Sequence, residues 1–268
     1  MELLDLRHFD WSATHNKITG SAGAFFKDKR MIDGINYYYK LSSYNEIDGI
    51  TGHESILEVL VYNYIKLMGL KSAAYEPIYG IVELAGNEYK TILCRSPDFR
   101  EPGESKISFN SLYKKSRKGF ETTFECCVRN GLGREIEIMF LIDFLIINKD
   151  RHGGNIEILK NSKGDLRIAP LFDNGYCLTA DYKSEEAVKN FDYKSDIAVR
   201  NAVGTDSLFK NLKFISSPIE VNALVGDEIE NLVKSTEGIS DLRKKVIIEA
   251  LEWRLEYARL NNFIRERF

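Results

Sequence analysis

The sequence predicts an α+β fold with a strand-rich first part, residues 1–96, and a mostly helical second part, residues 97–268. Short segments separated by turn residues dominate the first part, and longer apolar segments with helical spacing dominate the second. The chain has 268 residues, which is enough for two lobes or for one large domain with a substantial core. A cleft between two such parts is a common place for a ligand site.

The first part is expected to contain a hairpin, a helix and a strand that leads into the second part. Residues 25–27 precede a turn at an Asp-Gly pair, and residues 35–41 form an aromatic-rich second strand. Residues 54–68 have apolar side chains at helical spacing and end before a glycine, which predicts a helix. Residues 89–97 predict a strand that a proline ends.

The second part is expected to contain a buried helix followed by a loop and a hairpin. Residues 136–147 are almost wholly apolar, as in a helix that carries a loop to an interior site. After the loop, residues 156–159 and 166–172 predict two strands joined by a turn that contains Asn, Ser and Gly.

Further helices and one irregular loop complete the second part. Residues 98–111 contain proline and glycine and predict an irregular loop. Residues 191–201 and 221–233 show helical spacing, and residues 241–267 predict an amphipathic helix pair with aromatic and aliphatic side chains between charges.

The loop after the apolar helix carries a carboxylate and a carboxamide, and a second carboxylate follows the hairpin. Asp150 and Asn155 lie in the run NKDRHGGN, and Asp173 follows the second hairpin strand. Transfer of a phosphoryl group needs a base near the acceptor hydroxyl and oxygen ligands for Mg²⁺. Asp150 suits the base, whereas Asn155 and Asp173 suit the metal. Each aspartate alone could be an ordinary turn residue, so the hypothesis depends on the ordered set.

The segments DRHGGN and IAPLFDNG resemble the catalytic loop and the metal-binding segment of the HipA-like serine/threonine kinases, in order and in spacing. The loop is also similar to that of phosphoinositide 3/4-kinases. The resemblance implies a two-lobe protein-kinase-like fold, with ATP and Mg²⁺ as cofactors. Full-length members carry an additional N-terminal subdomain, so this chain is expected to resemble the short form of the family, of the CtkA and HipT type.

A small, glycine-rich segment upstream suits the phosphate-covering loop of such a kinase. Its backbone N–H groups could approach phosphate oxygens closely. The alternative is a plain hairpin turn, since Gly and Ser are common turn residues. The segment comprises Thr19, Gly20, Ser21, Ala22 and Gly23.

Lys40 lies late on the second predicted strand, where it could reach the α- and β-phosphates of ATP and pair with a helical glutamate. The local sequence alone favours an exposed strand lysine. In HipA-like kinases the corresponding helix carries a glutamate ahead of a similar Leu/Gly ending, which points to Glu58, with Glu54 as the alternative. Either glutamate could instead lie on a solvated helix face.

The resemblance also implies an adenine-binding hinge near the end of the strand over residues 89–97. Adenine would hydrogen-bond to backbone groups there, so the side chains carry little information about the contact. Cys94 is expected to be a small packing residue rather than a reactive thiol. The hinge segment comprises Leu93, Cys94, Arg95 and Ser96.

Composition agrees with a soluble enzyme of this kind. The chain has 37 basic and 40 acidic residues and a net charge of -3, so no nucleic-acid partner is predicted. The short basic run at residues 114–118 is expected to be a solvated loop or helix end. Four cysteines without CxxC spacing favour a reducing compartment. No secretory signal or transmembrane segment is evident, so a cytoplasmic protein without a membrane partner is expected.

The preferred hypothesis is a serine/threonine protein kinase in which Asp150 draws the proton from the acceptor hydroxyl. Lys40, Asn155 and Asp173 then hold Mg-ATP. The resemblance implies a protein substrate with a Ser or Thr acceptor, and it allows a toxin kinase that an antitoxin protein restrains.

Ser21 and Thr19 are candidate autophosphorylation sites, since a phosphate in the glycine-rich segment would repel the phosphates of ATP. The alternative is that Ser21 only supplies a small side chain in a tight loop.

Two other classes of function stay open. A lipid or small-molecule kinase of the phosphoinositide-kinase type would use the same machinery, with His152 as a transition-state stabiliser or as a residue that only orders the backbone. A basic or amphipathic membrane-facing element would favour that class, and none is clear. The third hypothesis is an inactive nucleotide-binding interaction module. The joint presence of a base, two metal ligands and a lysine argues against it.

Overall fold

A computed structural model describes residues 3–11 and 26–267 of the chain. The predicted phosphate-covering residues Thr19, Gly20, Ser21, Ala22 and Gly23 lie outside these described residues. The described elements of the first part are β1 (Leu3–Asp5), β2 (Lys27–Ile32), β3 (Ile35–Lys40), β4 (Tyr44–Asn45), β5 (Gly49–Ile50), α1 (Glu54–Leu67), β6 (Glu76–Leu84) and β7 (Asn87–Pro97).

Five of these strands form one sheet in the order β1-β6-β7-β3-β2. Strand β1 is parallel to β6, and the other neighbours are antiparallel. In the turn between β2 and β3, Asp33 and Gly34 have φ values of +48° and +79°, which suit a tight two-residue hairpin turn. The predicted hairpin and the predicted strand at residues 89–97 are confirmed. Lys40 ends β3 beside Cys94 of β7.

One face of the sheet carries a small apolar core of its own. Trp11 is buried together with Tyr39 of β3 and Val82 of β6, and the ring of Phe9 meets that of Tyr39 edge-on, with centroids 5.0 Å apart. Along β6, buried residues alternate with less buried ones, as expected for a sheet with one covered face. This packing holds β3, and with it the backbone of Lys40, in place.

Helix α1 belongs to the apolar core of the helical second part. Its residues Leu57 and Tyr64 are buried in the large cluster that fills that part. The helix ends before Gly69, whose φ of +71° is the left-handed conformation that favours glycine. A Cβ at that position would lie 2.8 Å from the side chain of Asn222. The predicted helix at residues 54–68 is confirmed, and its packing joins it to the second part.

The described second part combines helices of 5 to 20 residues with short strands. Its described elements are β8 (Ser105–Ser108), α2 (Phe109–Ser116), α3 (Thr123–Arg129), α4 (Gly133–Leu145), β9 (Asp150–Arg151), β10 (Glu157–Lys160), β11 (Leu166–Ile168), α5 (Glu185–Lys189), β12 (Arg200–Asn201), α6 (Leu208–Leu212), β13 (Ile219–Asn222), α7 (Glu228–Ser235), α8 (Asp241–Leu260) and β14 (Ile264–Arg267).

Helix α4 is buried on nearly all sides. Phe140 and Phe144 are fully buried. The ring centroid of Phe140 lies 5.5 Å from that of Phe214, and the ring centroid of Phe144 lies 5.1 Å from that of Phe209. Tyr257 of α8 lies 5.5 Å from Phe144. A helix that is apolar all round must be surrounded by protein. The predicted buried helix is therefore confirmed, and the loop that follows it begins from a fixed point.

Strands β10 and β11 form the predicted hairpin, from Ile158 opposite Ile168 to Lys160 opposite Leu166. The prediction of an irregular loop at residues 98–111 is wrong in its second half. Strand β8 pairs antiparallel with β10, and α2 begins directly after it. The partner strand is about fifty residues further along the chain, so local composition does not reveal the pairing.

The predicted helix at residues 191–201 is wrong. This segment is mostly irregular and ends in β12, which lies parallel to β9. The predicted helix at residues 221–233 is partly wrong, because its beginning belongs to β13 and only its end belongs to α7.

The predicted helix pair at residues 241–267 is one helix, α8, followed by strand β14. Asn262 has a φ of +59°, which takes the chain out of the helix. Ile264 is then buried opposite Ile219, in parallel pairing with β13. Residues 264–267 have a helical sequence pattern, but the free energy gained when they are buried as a strand beside β13 favours the extended conformation.

The connection between α7 and α8 contacts both the sheet and helix α1. Tyr79 of β6 donates a hydrogen bond to Glu237, with 2.6 Å between oxygens. A Cβ on Gly238 would lie 2.6 Å from Ile56 of α1 and 2.9 Å from Ile92 of β7. The close approach of this backbone therefore needs glycine.

Within residues 3–11 and 26–267, no helix is long and apolar enough to cross a membrane. The four cysteines are buried and free of disulfides. Burial raises the pKa of Cys94 far above the usual value for a thiol, so the expected role of Cys94 as a packing residue agrees with its surroundings.

Candidate active site

The loop after α4 is fixed by polar side chains where it begins. Asn148 donates from Nδ2 to Oδ1 of Asp143 (2.8 Å) and accepts the backbone N–H of Asp150 at its own Oδ1 (3.1 Å). Ile147 has a φ of +53°, a left-handed conformation that β-branched residues rarely adopt. The chain therefore leaves α4 by a sharp, strained turn that these hydrogen bonds maintain.

Arg151 lies at the centre of the site with only 1% of its surface exposed. Its Nη2 lies 2.8 Å from Oδ1 of Asp143 and donates to Oδ1 of Asn174 (2.6 Å). Its Nη1 donates to the carbonyl oxygens of Asn155 (3.1 Å) and Phe172 (3.0 Å). Burial lowers the pKa of Arg151, but the carboxylate of Asp143 outweighs burial and raises that pKa. One guanidinium thus joins α4, the loop and the segment after β11.

Asp150, the predicted base, has 16% of its side chain exposed. Its Oδ2 faces Nε2 of His152 at 3.7 Å, and its Oδ1 faces Nη1 of Arg200 at 3.2 Å. The approach of Arg200 is close enough for an ion pair, but the angles do not make a hydrogen bond, and Oδ1, which is buried, accepts none from the described residues. The side chain as a whole is partly exposed, and an exposed carboxylate oxygen can accept a hydrogen bond from a hydroxyl.

The ring of His152 is oriented by the backbone that follows it. Its Nδ1 accepts the N–H of Gly154 at 3.0 Å. The neutral ring then carries its proton on Nε2, which is the nitrogen that faces Asp150. A Cβ on Gly154 would lie 2.9 Å from the imidazole, so glycine permits this arrangement. His152 is thus placed as a donor beside the carboxylate.

Asn155 and Asp173, the two predicted metal ligands, are held by a shared contact. Nδ2 of Asn155 donates to the carbonyl of Asp150 at 2.8 Å, which leaves the carboxamide oxygen to act as a ligand. Nη1 of Arg151 bonds the carbonyls of Asn155 and of Phe172, the residue before Asp173. The segment turns at Asp173 with a φ of +57°.

The donors at this position are a carboxylate and a carboxamide, which suit a hard cation such as Mg²⁺. Within residues 3–11 and 26–267, no group of three or more His, Cys, Asp or Glu side chains is arranged to hold a metal ion. A cation here would take few ligands from the described protein, as Mg²⁺ commonly does when phosphates and water supply the others.

Lys40 connects the sheet, helix α1 and the segment after β11. Its Nζ lies 2.7 Å from Oε1 of Glu58 and 2.9 Å from Oδ1 of Asp173, and it donates to the hydroxyl of Tyr75 at 3.0 Å. Burial lowers the pKa of Lys40, but the carboxylates of Asp173 and Glu58 outweigh burial and hold that pKa well above its usual value of 10.5. Lys40 is therefore charged and buried at neutral pH.

Asp173 has a second cationic neighbour, Lys27 at the start of β2, whose Nζ lies 3.1 Å from Oδ2. Burial raises the pKa of Asp173, but the charges of Lys40 and Lys27 and their hydrogen bonds outweigh burial. The pKa of Asp173 lies far below its usual value of 3.8, so the residue is a carboxylate at all physiological pH values. A cation that binds Asp173 would compete with both lysines for its oxygens.

The structure distinguishes the two candidate glutamates of α1. Glu58 is 2% exposed, pairs with Lys40 and accepts the backbone N–H of Asn174 at 2.9 Å. Glu54 instead accepts the backbone N–H of Ser43 at 3.0 Å and its hydroxyl at 2.6 Å. The glutamate beside the lysine is therefore Glu58.

Most of the predicted hinge lies inside the sheet. Leu93, Cys94 and Arg95 have strand partners on β6, and Cys94, Arg95 and Ser96 have partners on β3. Ser96 lies one residue beyond the start of β6, so its backbone has a strand neighbour on one side only. Backbone contacts to a ligand are thus more accessible from Ser96 onward than at the residues flanked by two strands.

A small apolar cluster adjoins Lys40 at this edge. Cys94 and Tyr75 are buried in it, and the stacked rings of Phe99 and Phe172, with centroids 5.6 Å apart, pack against it. Phe172 comes directly before Asp173, so the apolar cluster and the charged cluster are neighbours along the chain.

The structure brings together Lys40, Glu58 and Asp173 in one cluster and Asp150 with His152 in another. Arg151 follows Asp150 in the chain and bonds Phe172 and Asn174, the neighbours of Asp173. Sequence reasoning missed Arg151, although it lies inside the motif, because spacing alone assigns no role to an arginine next to the predicted base. It also missed the contacts made by Lys27, Tyr75, Asp143, Asn174 and Arg200.

Comparison with known sequences yields a partial match. No family model matches the chain. A segment of 95 residues is 32% identical to phosphatidylinositol 4-kinase gamma 4 of Arabidopsis thaliana. The match covers 34% of this chain and spans only 16% of the length of the plant protein, so it concerns a part of each protein.

Comparison with solved structures covers nearly the whole chain. The fold is similar to that of the Helicobacter pylori proinflammatory kinase CtkA, with a TM-score of 0.59 over 95% of this chain and 94% of that protein. The two sequences are 15% identical over that alignment, so the likeness concerns the fold alone. The chain has an α+β, two-lobe kinase-like fold, as predicted.

Proposed function

We propose that the protein is an ATP-dependent kinase that phosphorylates serine or threonine of a protein. The observation that carries this proposal is the position of Lys40, which bridges Glu58 of α1 and Asp173 within 2.9 Å. A lysine paired with a helical glutamate beside a metal-binding aspartate is the arrangement that kinases use to hold the phosphates of ATP. Arg151, the residue after Asp150, donates to the carbonyl of Phe172 and to the side chain of Asn174, the two residues that flank Asp173.

In this proposal each group has one task. Lys40 neutralises the α- and β-phosphates of ATP, and Glu58 keeps its ammonium in position. Asn155 and Asp173 would hold Mg²⁺, which supplies charge neutralisation for the phosphate oxygens when bound. Asp150 accepts the proton of the acceptor hydroxyl, and Nε2–H of His152 donates to oxygens beside it.

We propose two further details for the nucleotide. The adenine base would meet backbone groups at and after Ser96, where the sheet has an open side, and the apolar cluster around Cys94 and Phe172 would support its ring. The glycine-rich segment would cover the phosphates, with Ser21 and Thr19 as candidate autophosphorylation sites. Restraint by an antitoxin partner belongs to the same proposal and rests on the resemblance to HipA-like kinases.

The second candidate function is a lipid kinase. The observation that favours it is the 95-residue similarity to a plant phosphatidylinositol 4-kinase. The same catalytic groups would serve either acceptor, so the two functions differ in the surface that receives the hydroxyl and not in the base.

The test is transfer of label from γ-labelled Mg-ATP to a generic protein acceptor or to vesicles that contain phosphatidylinositol. Wild-type protein is compared with Asp150→Ala and with Asp165→Ala, an exposed aspartate in the turn between β10 and β11. Loss of a general base is expected to reduce transfer roughly 100- to 10,000-fold. ATP binding should persist in Asp150→Ala, and Asp165→Ala should behave as wild type.

Label on the protein acceptor supports the first function, and label on the lipid alone supports the second. Absence of ATP binding by the wild-type protein would contradict both. Equal transfer by wild type and Asp150→Ala would remove Asp150 from the role of base.

A further inference from the structure

Strand β12 brings Arg200 next to the predicted base. Strands β9 and β12 are parallel, with Arg200 opposite Asp150 and Asn201 opposite Arg151. The backbone N–H of Arg200 donates to the carbonyl of Lys149 at 3.0 Å, and that of Ala202 donates to Arg151 at 3.0 Å. The position of Arg200 is therefore set by a backbone ladder and not by its side chain alone.

The guanidinium of Arg200 is only partly used in this arrangement. Nη1 lies 3.2 Å from Oδ1 of Asp150, but the arginine side chain is 54% exposed whereas that of Asp150 is 16% exposed. A guanidinium has five N–H donors in a planar fork, and within the described residues this one forms its ion pair with Asp150 alone. Several N–H donors of Arg200 are therefore exposed to solvent beside Asp150, where the acceptor is proposed to bind.

A strand-like acceptor peptide would place alternate side chains on this edge. Residues two apart in an extended chain lie on the same face, about 7 Å from each other, because each residue advances about 3.3 Å. A group bound at the outer donors of Arg200 lies beyond the 3.2 Å that separates Nη1 from Oδ1 of Asp150, so a side chain two positions from the acceptor residue, on the same face of the strand, suits it. A carboxylate is the group that a planar fork of donors binds best.

We infer that Arg200 is a specificity-determining residue that recognises an acidic side chain two positions from the phosphorylated serine or threonine. This inference rests on the proposed protein-kinase function and names its substrate class. A carboxylate from the acceptor takes the outer donors of Arg200, while Nη1 stays beside Asp150. The acidic residue thereby holds the acceptor with its hydroxyl at Asp150.

The experiment measures kcat/KM for matched serine peptides that carry Glu, Gln or Lys two residues before or after the serine. Wild type is compared with Arg200→Gln and Arg200→Glu. Arg267→Gln is the matched control, since the side chain of Arg267 is 53% exposed and faces a carboxylate, Glu220, at 3.8 Å on β13, outside the described site.

We expect wild type and Arg267→Gln to prefer the Glu peptide over the Gln peptide at one of the two positions by about tenfold or more, the range of a charge-assisted hydrogen bond. Arg200→Gln should lose that preference. Arg200→Glu should prefer the Lys peptide. If Arg200 only supported the fold, reversing its charge would not reverse the preference between the Glu peptide and the Lys peptide. Thermal unfolding shows whether each variant is folded, and Arg200→Lys, which keeps the charge, should retain a reduced preference.

Equal rates for the three peptides with wild type, or an unchanged preference in folded Arg200→Gln, would overturn the inference while the kinase function stands. ATP hydrolysis without label on any peptide or protein would overturn the acidic acceptor but leave the nucleotide half of the function. Absence of both ATP hydrolysis and transfer would overturn the proposed function itself.

Discussion

The two halves of the site differ in how completely their charges are paired. In the half proposed to hold the nucleotide, Lys40 and Glu58 have side chains that are 10% and 3% exposed, and Lys40 contacts two carboxylates within 2.9 Å. In the half proposed to hold the acceptor, Asp150 lies 3.2 Å from the largely exposed guanidinium of Arg200 and 3.7 Å from the imidazole of His152, and its Oδ1 accepts no hydrogen bond from the described residues. In the proposed kinase, this difference means that the nucleotide half is assembled before any substrate binds, whereas the acceptor half is completed by its acceptor.

Both halves of the site depend on the buried ion pair between Arg151 and Asp143. Removing this pair should therefore have the largest effect, because it affects both halves at once. Arg151 and Asp143 are each 1% exposed. Asp143→Ala leaves the guanidinium without its carboxylate and removes the acceptor of Asn148. Loss of one partner of a buried pair commonly costs about 3–5 kcal/mol. We expect a loss of that size in the free energy of unfolding, measured by urea titration.

The control for this variant is Asp165→Ala, because Asp165 is exposed and bonds only within its own turn. It should change the stability by less than about 1 kcal/mol. If Asp143→Ala were as stable as this control, the two halves of the site would not share the support described.

The second prediction concerns the nucleotide half alone. Lys40→Met leaves Glu58 and Asp173 without their common cation, although Asp173 keeps Lys27. We expect a loss of about 1.5–3 kcal/mol in stability near pH 7, the value of hydrogen bonds to charged groups. ATP affinity should fall as well, and isothermal calorimetry measures that fall.

The pH dependence of this difference in stability follows from the two pKa shifts. The pKa of Asp173 is lowered from 3.8, so its contribution is present above about pH 4 and is lost as the pH falls toward the lowered value. The pKa of Lys40 is raised above 10.5, so its contribution is present below that pH and is lost only as the pH rises through the raised value. The gap between wild type and Lys40→Met should therefore be constant from pH 5 to 9 and narrow below about pH 4. A gap that changed between pH 6 and 8 would contradict the charge assignment.

The smallest expected effect is that of Glu58→Gln, which can be compared with a substitution of Glu54 in the same helix. Glu58→Gln keeps an oxygen for the N–H of Asn174 but removes the charge opposite Lys40. We expect kcat/KM for phosphoryl transfer to fall about tenfold, which corresponds to roughly 1.4 kcal/mol.

Glu54→Gln is the matched control, one helical turn away, because Glu54 contacts Ser43 and not Lys40. Its kcat/KM should stay within about twofold of wild type, since no contact to the site is lost. Equal effects of the two substitutions would argue that the charge of the helix, and not the specific pair, supports the lysine.

The elements that surround the site were predictable because their signals are local. The apolar run of α4, the hairpin of β10 and β11 and the glycine after α1 each depend on residues close in sequence. Glu58 was preferred over Glu54 by resemblance, and the structure places Glu58 beside the lysine. The fold class followed from the same signals together with the resemblance.

The features that were missed depend on contacts between distant parts of the chain. Strand β8 is defined by its partner β10, and β14 by its partner β13. Arg200 reaches Asp150 only because β12 lies beside β9, fifty residues away in sequence. The second helix of the pair predicted at residues 241–267 is wrong, and a local sign of this was not used: two consecutive asparagines, of which Asn262 adopts the left-handed conformation that ends helices.

The contacts of Lys40 make its pair with Asp173 a gauge of how the two lobes are aligned. Lys40 belongs to the sheet, and helix α1 is tied to the same sheet by Ser55, whose hydroxyl donates to the carbonyl of Ile92 at 3.0 Å. Asp173 belongs to the helical part and lies 2.9 Å from Lys40, so a rotation of the sheet away from that part would lengthen this contact. Opening of the cleft and loss of the pair become a single event, so a ligand that favours the paired state also favours the closed cleft, and each is coupled to the other by the same free energy.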